Sequence, residues 1–277
     1  MKKKIAVVTG ASSGFGLLST IKLAKNDFYV IATMRDLQKK ETLQAMAIEN
    51  DVNEQIHYHS LDVSSKQSVD RFGHWLNELG HVDVLLNNAG YAAAGFAEEV
   101  SIDQYREQFE TNFFGLIALT QKVIPLMRKQ KKGRIINLSS ISGLVGFPGL
   151  SPYVSSKFAL EGFSESLRLE LIPFGIEVFL IEPGSYQTNI WTTGKKVAEY
   201  SLQPESPYFN YMKKIENQLD ETSFGDPDDI ASLVNEIALG KKGGFRFPVG
   251  KGVKVTIWIK KWIPWSWLEK NILKRLT

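Results

Sequence analysis

Tyr153 and Lys157 stand four residues apart, a spacing that puts both side chains on one face of a helix. A phenol is a natural proton donor to a developing alkoxide, but with a pKa of about 10 it is a poor base near neutrality. An ammonium one turn away favours the phenolate, so the pair can move a proton in either direction. Upstream, Ser139, Ser140 and Ser142 follow the apolar run Arg134–Leu138. A hydroxyl just past the carboxyl end of a strand can donate to a substrate oxygen and hold it beside the tyrosine. The chemistry implied is proton transfer at a carbonyl or alcohol.

A second constellation opens the chain. Ile5–Thr9 is followed by Gly10-Ala11-Ser12-Ser13-Gly14-Phe15-Gly16 and then by a helical run from Leu17. Glycines in a strand-to-helix turn let the backbone approach a pyrophosphate, which then lies at the positive end of the helix. Three residues separate the first two glycines, so the turn departs from the common G-x-G-x-x-G dinucleotide fingerprint.

The elements that must position these groups are seven short β-branched or aliphatic runs: Ile5–Thr9, Tyr29–Thr33, Gln55–His59, Val82–Leu86, Arg134–Leu138, Glu177–Ile181 and Phe245–Val249. Longer segments of helical character separate them. This alternation predicts an α/β fold, a doubly wound Rossmann sheet of seven parallel strands with helices on both faces. With 277 residues and no linker or repeat, the expectation is one catalytic domain over 1–277. Within it we mark a substrate loop at 185–225 and an amphipathic tail at 253–277. The net charge of +3 is too mild for nucleic acid. The absence of cysteine excludes disulfides, thiolate nucleophiles and Cys-ligated metals, and is compatible with a cytoplasmic location.

Taken together, Thr9-Gly-x-x-x-Gly-x-Gly16, Asn87-Asn88-Ala89-Gly90, Asn112, Ser140, Tyr153-x-x-x-Lys157 and Pro183-Gly184 resemble the short-chain dehydrogenase/reductase family from about Lys4 to Phe247. The resemblance implies a hydride exchanged between a nicotinamide and a carbonyl/alcohol pair. It makes Asn112, Ser140, Tyr153 and Lys157 the catalytic set, with Ser140 chosen because the family's serine precedes its tyrosine by thirteen positions. Asn112 is implied to distort its helix and to position a water toward Lys157, and Lys157 to hold the nicotinamide ribose as well. The implied cofactor contacts are Gly10, Ser12, Ser13, Gly14, Phe15, Gly16, Asp62, Val63, Asn88, Ala89, Gly90, Pro183, Gly184, Tyr186 and Thr188. Met34 occupies the place of the family's NAD-selecting acid and Arg35 follows it, which points to NADP(H) through attraction of the 2′-phosphate. Asp36 is a competing partner for Arg35. Where this chain has Tyr186 the family usually has Val or Ile, so the ring is expected to narrow the substrate pocket. The helices around Asn112 and Tyr153 are implied to pair across a two-fold axis into a homodimer or homotetramer, through Gly115, Leu116, Leu119, Phe158, Leu160, Phe163 and Leu167.

Substrate identity is not encoded so directly. Phe96, Leu144, Val145, Phe147, Leu150, Tyr186, Trp191 and Tyr208 point to an apolar small molecule. His57 and His59 share a strand face at a metal-site spacing, yet no third ligand accompanies them, and no metal is expected. The tail mixes Trp258, Trp262, Trp265 and Trp267 with lysines, as interfacial membrane segments do. Its apolar stripe of Trp265, Leu268, Ile272 and Leu276 reads more simply as a helix docked on the body, the cleft or a second subunit. Two other functions remain open: a catalytically silent NADP-binding sensor, against which the intact proton relay argues, and a membrane-surface enzyme acting on lipid-like substrates.

Overall fold

The computed structural model describes residues 3–188, 190, 194–220 and 224–276. Its centre is a seven-stranded sheet in the order β3-β2-β1-β4-β6-β7-β9, with every pair parallel. The strands are β1 (Lys4–Thr9), β2 (Phe28–Met34), β3 (Ile56–Ser60), β4 (Val84–Asn87), β6 (Gly133–Leu138), β7 (Ile176–Pro183) and β9 (Arg246–Val249). All seven expected runs are present, with ends shifted by one or two residues. A small parallel pair that the sequence did not announce, β5 (Ala92–Ala94) with β8 (Lys195–Val197), lies apart from the main sheet.

The strands read as continuous apolar runs because both faces are covered. On β1, Ala6 and Val8 pack into the core that holds α1 (Gly14–Lys25) and α8 (Pro227–Ala238). Ile5 and Val7, pointing the other way, join the core under α3 (Lys66–Leu79), α5 (Gly115–Lys129) and α6 (Ser151–Leu171). Alternation at period two thus divides one short strand between two cores. The other helices are α2 (Glu41–Glu49), α4 (Ile102–Phe109), α7 (Phe209–Asp220), α9 (Val253–Trp262) and α10 (Trp265–Leu276).

Two sequence expectations fail here. Of the residues assigned to a subunit interface, Gly115, Leu116, Leu119, Leu160 and Leu167 are buried within the chain itself. Leu119 and Leu167 fill the second core, and a Cβ on Gly115 would lie 2.5 Å from the Val63 carbonyl oxygen. Of the expected interface residues Phe158 does face outward, together with Phe114 and Leu169, which were not in the expected set. The tail divides at Pro264 into α9 and α10, as the proline implies, but it departs from the expected docked helix in that its four tryptophans are half to two-thirds exposed. His57 and His59, for their part, pack their rings against Trp75 at 5.1 and 4.7 Å between centroids.

Candidate active site

The carboxyl ends of β1, β2, β4, β6 and β7 open into one cleft of about 1310 Å³. Ligands bind in doubly wound sheets at this edge because the strand-to-helix loops diverge there. Every candidate catalytic and cofactor residue lines the cleft except Gly16 and Asn112.

At one end is the glycine turn. Gly10 and Gly14 have φ of +65° and +54°, conformations that favour glycine. A Cβ on Gly16 would sit 2.4 Å from the Gly10 carbonyl oxygen and 2.5 Å from Asn88 Nδ2. Asn88 braces this turn: its Nδ2 donates to the carbonyls of Thr9 and Gly10 at 2.8 and 3.1 Å. The Thr9 hydroxyl accepts from the backbone N–H of both Asn88 and Ala89 at 2.9 Å. A glycine turn braced from behind by Asn88 and Thr9, at the first turn of α1 and with no acid there, suits a dinucleotide's phosphates.

Beside it, Met34 is buried and Arg35 exposed, sharing the cleft wall with Ser12 and Ser13. The expected competitor is otherwise engaged, since Asp36 Oδ1 accepts from Gln38 N at 3.0 Å and caps the following 3-10 turn. Asp62 makes a similar local turn, accepting from the backbone and hydroxyl of Ser64 at 3.0 and 2.6 Å.

At the other end, Tyr153 and Lys157 rise from α6 and Ser140 from the end of β6, all three buried. Pro152 in the first turn of α6 has no N–H to leave unsatisfied, so the helix starts directly before the tyrosine. Burial pushes the Tyr153 phenol up to about 12, opposed by its hydrogen bond with Ser140. Burial likewise pulls Lys157 down to about 8, opposed by the charge of Glu161. Lys157 Nζ donates to the Leu138 carbonyl at 2.7 Å and lies 5.8 Å from the Tyr153 ring centroid.

Asn112 lies in a π-helical segment, Glu110–Phe114, between α4 and α5. Its Oδ1 accepts from Tyr91 N at 3.1 Å and its Nδ2 donates to Tyr91 O at 3.0 Å. One side chain thus clamps the strand that leaves the Asn88-Ala89-Gly90 turn. The extra residue in the helical turn is what aims it there.

Several expectations for the substrate end are corrected. The Tyr186 ring does not project into the pocket. It is 2% exposed, meets Phe15 edge-on at 5.6 Å, and would touch a Cβ at Gly225 or Gly250. Phe96, Leu144, Val145, Phe147, Leu150 and Tyr208 do not line the cleft, and Phe96 stacks on Tyr208 at 4.2 Å instead. Trp191 lies outside the described residues. The loop expected at 185–225 holds β8, a 3-10 turn at Glu199–Leu202 and α7. Through Lys196, β8 reaches Glu107 at 3.4 Å and the Tyr91 ring at 4.8 Å.

Behind Lys157 is a charged cluster that sequence reasoning missed. Ser139 Oγ donates to Glu161, and Arg246 donates to Glu161, to Glu182 at 2.7 Å and to Glu165 at 2.5 Å. Glu161 and Glu182 are buried, and burial raises both carboxyls, Glu182 to about 6. Glu161 was discoverable, because it stands one more helical turn beyond Lys157. Glu182, an acid inside an apolar strand, was the other signal.

With this arrangement described, likeness to known proteins decides the family. The sequence model of short chain dehydrogenases matches residues 4–198. The chain belongs to that family. An uncharacterized oxidoreductase of Bacillus subtilis, YusZ, is 49% identical over 100% of this chain and 99% of its own. A 3-ketodihydrosphingosine reductase of Bacteroides thetaiotaomicron is 33% identical over 99% of this chain and 96% of its own. Among solved structures, a short-chain dehydrogenase from Streptomyces avermitilis superposes with a TM-score of 0.80, at 30% identity over 98% of both chains. A metagenomic short-chain oxidoreductase in complex with NADP gives 0.70 at 25% identity, over 89% of this chain and 96% of that one. The chain is an oxidoreductase of the kind that acts on CH–OH and C=O groups.

Proposed function

We propose that the protein reduces a carbonyl, or oxidises the matching alcohol, of an apolar small molecule with NADP(H), and that Tyr153 transfers the proton. The observation that carries this reading is the convergence of Tyr153, Ser140 and Lys157 at one end of a cleft whose other end is the glycine-rich turn at the start of α1. Ser140, bonded to the phenol, is placed to donate to a substrate oxygen and hold it against Tyr153. A phenol raised to about 12 stays protonated near neutrality and so holds the proton that an alkoxide takes up. Lys157, drawn down to about 8, can take up and return protons near neutrality. Asn112 holds the Tyr91 backbone and so fixes the wall opposite. The cofactor, when bound, supplies the hydride and, once oxidised, adds positive charge that favours the phenolate.

The preference for NADP(H) is supported by the buried Met34, where no acid repels a 2′-phosphate, and by Arg35 with the Ser12 and Ser13 hydroxyls on the same wall. The solved relative in complex with NADP agrees with it. For the apolar substrate, support comes from the relative named as a 3-ketodihydrosphingosine reductase. The assembly part of the reading, a homodimer or homotetramer, now rests on Phe114 and Leu169 rather than on the buried leucines.

The test is NADPH consumption against aldehydes and ketones of increasing chain length, for wild type and Tyr153→Phe. The variant should lose about 10²–10⁴-fold in kcat while binding NADPH normally, since only the transferable proton is removed. Ketone reduction by Tyr153→Phe at the wild-type rate would refute the assignment.

A further inference from the structure

The tail carries four of the chain's six tryptophans, and the structure shows which way they face. α9 docks by one side only. Val253 is 2% exposed and close to Gly184, while Lys260 donates to the Leu144 carbonyl and lies 4.8 Å over the Phe158 ring. Its outer side presents Val255, Trp258 and Trp262, at i, i+3 and i+7, exposed at 59%, 60% and 67%. Trp265 and Trp267, across the Pro264 break, continue the patch at 59% and 50%. A patch of this kind, left exposed among the described residues, marks an interaction surface.

Charge selects the partner. Residues 253–276 hold Lys254, Lys260, Lys261, Lys270, Lys274 and Arg275 against Glu269 alone, whereas the whole chain carries only +3. The rest of the protein is thus net negative and the basic excess is confined to this patch. A two-fold pairing with a second copy would set the patch on itself, lysine against lysine. An anionic bilayer surface presents the opposite charge, together with an interfacial zone in which tryptophan is favoured. No described helix is long and apolar enough to cross a membrane, and Pro264 divides the tail into two short helices, which suits a segment lying in the plane of the surface.

We propose that α9 and α10 seat the protein on an anionic lipid bilayer, with Trp258, Trp262, Trp265 and Trp267 entering the headgroup region and the flanking lysines meeting acidic headgroups. The seat adjoins the cleft, because Val253 of α9 packs beside Gly184, a residue of the cleft wall. Bilayer binding is independent of hydride transfer and is read without turnover.

The experiment is co-sedimentation of the full chain with vesicles of phosphatidylcholine alone and of phosphatidylcholine with phosphatidylglycerol, including lipids brominated on the acyl chain. Wild type should partition at least roughly tenfold more strongly onto the anionic vesicles, weaken with added salt, and have its tryptophan emission quenched by the bromines. Trp258→Ala/Trp262→Ala should lose at least roughly tenfold in partitioning, with an unchanged far-UV spectrum and melting temperature. Lys254→Glu/Lys261→Glu keeps the tryptophans and should lose the preference for anionic lipid. Absence of binding to either vesicle, or equal binding by wild type and both variants, would overturn the proposal. So would sedimentation velocity showing that Trp258→Ala/Trp262→Ala dissociates an oligomer, for the patch would then belong to a second copy.

Discussion

Arg246→Met tests the charged cluster behind Lys157. Arg246 is the cation shared by Glu161, Glu182 and Glu165, of which the first two have side chains only 6% and 1% exposed. Removing one partner from a buried ion pair costs about 3–5 kcal/mol, because the opposite charge stays buried. Arg246 itself is 29% exposed, so the lower part of that range applies, about 3–4 kcal/mol. With an unfolding entropy of ~2.1 cal/mol/K per residue over 277 residues, the melting temperature should fall by roughly 5–7 °C. The pH dependence follows from the carboxyls. Glu161 and Glu182 lie above their ordinary value when folded, so the folded state holds their protons more tightly and stability falls as pH rises from about 4.5 through about 6. Arg246 opposes that rise, so without it both carboxyls move further up and the loss extends to higher pH. Thermal unfolding followed by circular dichroism should therefore show the full deficit near pH 8 and less than half of it near pH 5. A variant as stable as wild type at pH 8, or equally weakened at both pH values, would refute the reasoning.

Gly16→Ala would place a methyl 2.4 Å from the Gly10 carbonyl oxygen, a backbone atom that cannot yield without moving the turn. Overpacking of this kind costs about 1–3 kcal/mol, and NADPH affinity measured by fluorescence titration should drop roughly tenfold or more; a wild-type affinity would show that the turn does not hold the cofactor. Arg35→Ala should remove about 1.5–3 kcal/mol from NADPH binding, roughly ten- to a hundredfold, while sparing NADH. Met34→Asp should reverse the preference, and kcat/KM for both cofactors decides: equal losses with NADH and NADPH in Arg35→Ala would leave Arg35 as a surface charge.

Local chemistry made much of the molecule legible from sequence. Seven apolar runs alternating with helical segments point to a parallel sheet covered on both faces, since that arrangement buries both sides of each strand. Tyr153 with Lys157, and the glycines at 10, 14 and 16, could be read because their spacing along the chain is itself the geometry. What depended on how distant segments meet could not be read in this way. Whether Leu119 and Leu167 faced a partner or the core was decided by the packing of α5 and α6 onto the sheet. The Tyr186 ring was drawn inward because Gly225 and Gly250 leave room for it beside Phe15. Glu161, Glu182 and Arg246 come from three separate elements, and only the pairing of β7 with β9 beside α6 brings their charges together. The tail shows the same division. Its sequence determines two amphipathic helices split at Pro264, but periodicity is the same for a stripe that is covered and one that is not, and only the docking of Val253 and Lys260 leaves Trp258 and Trp262 in solvent.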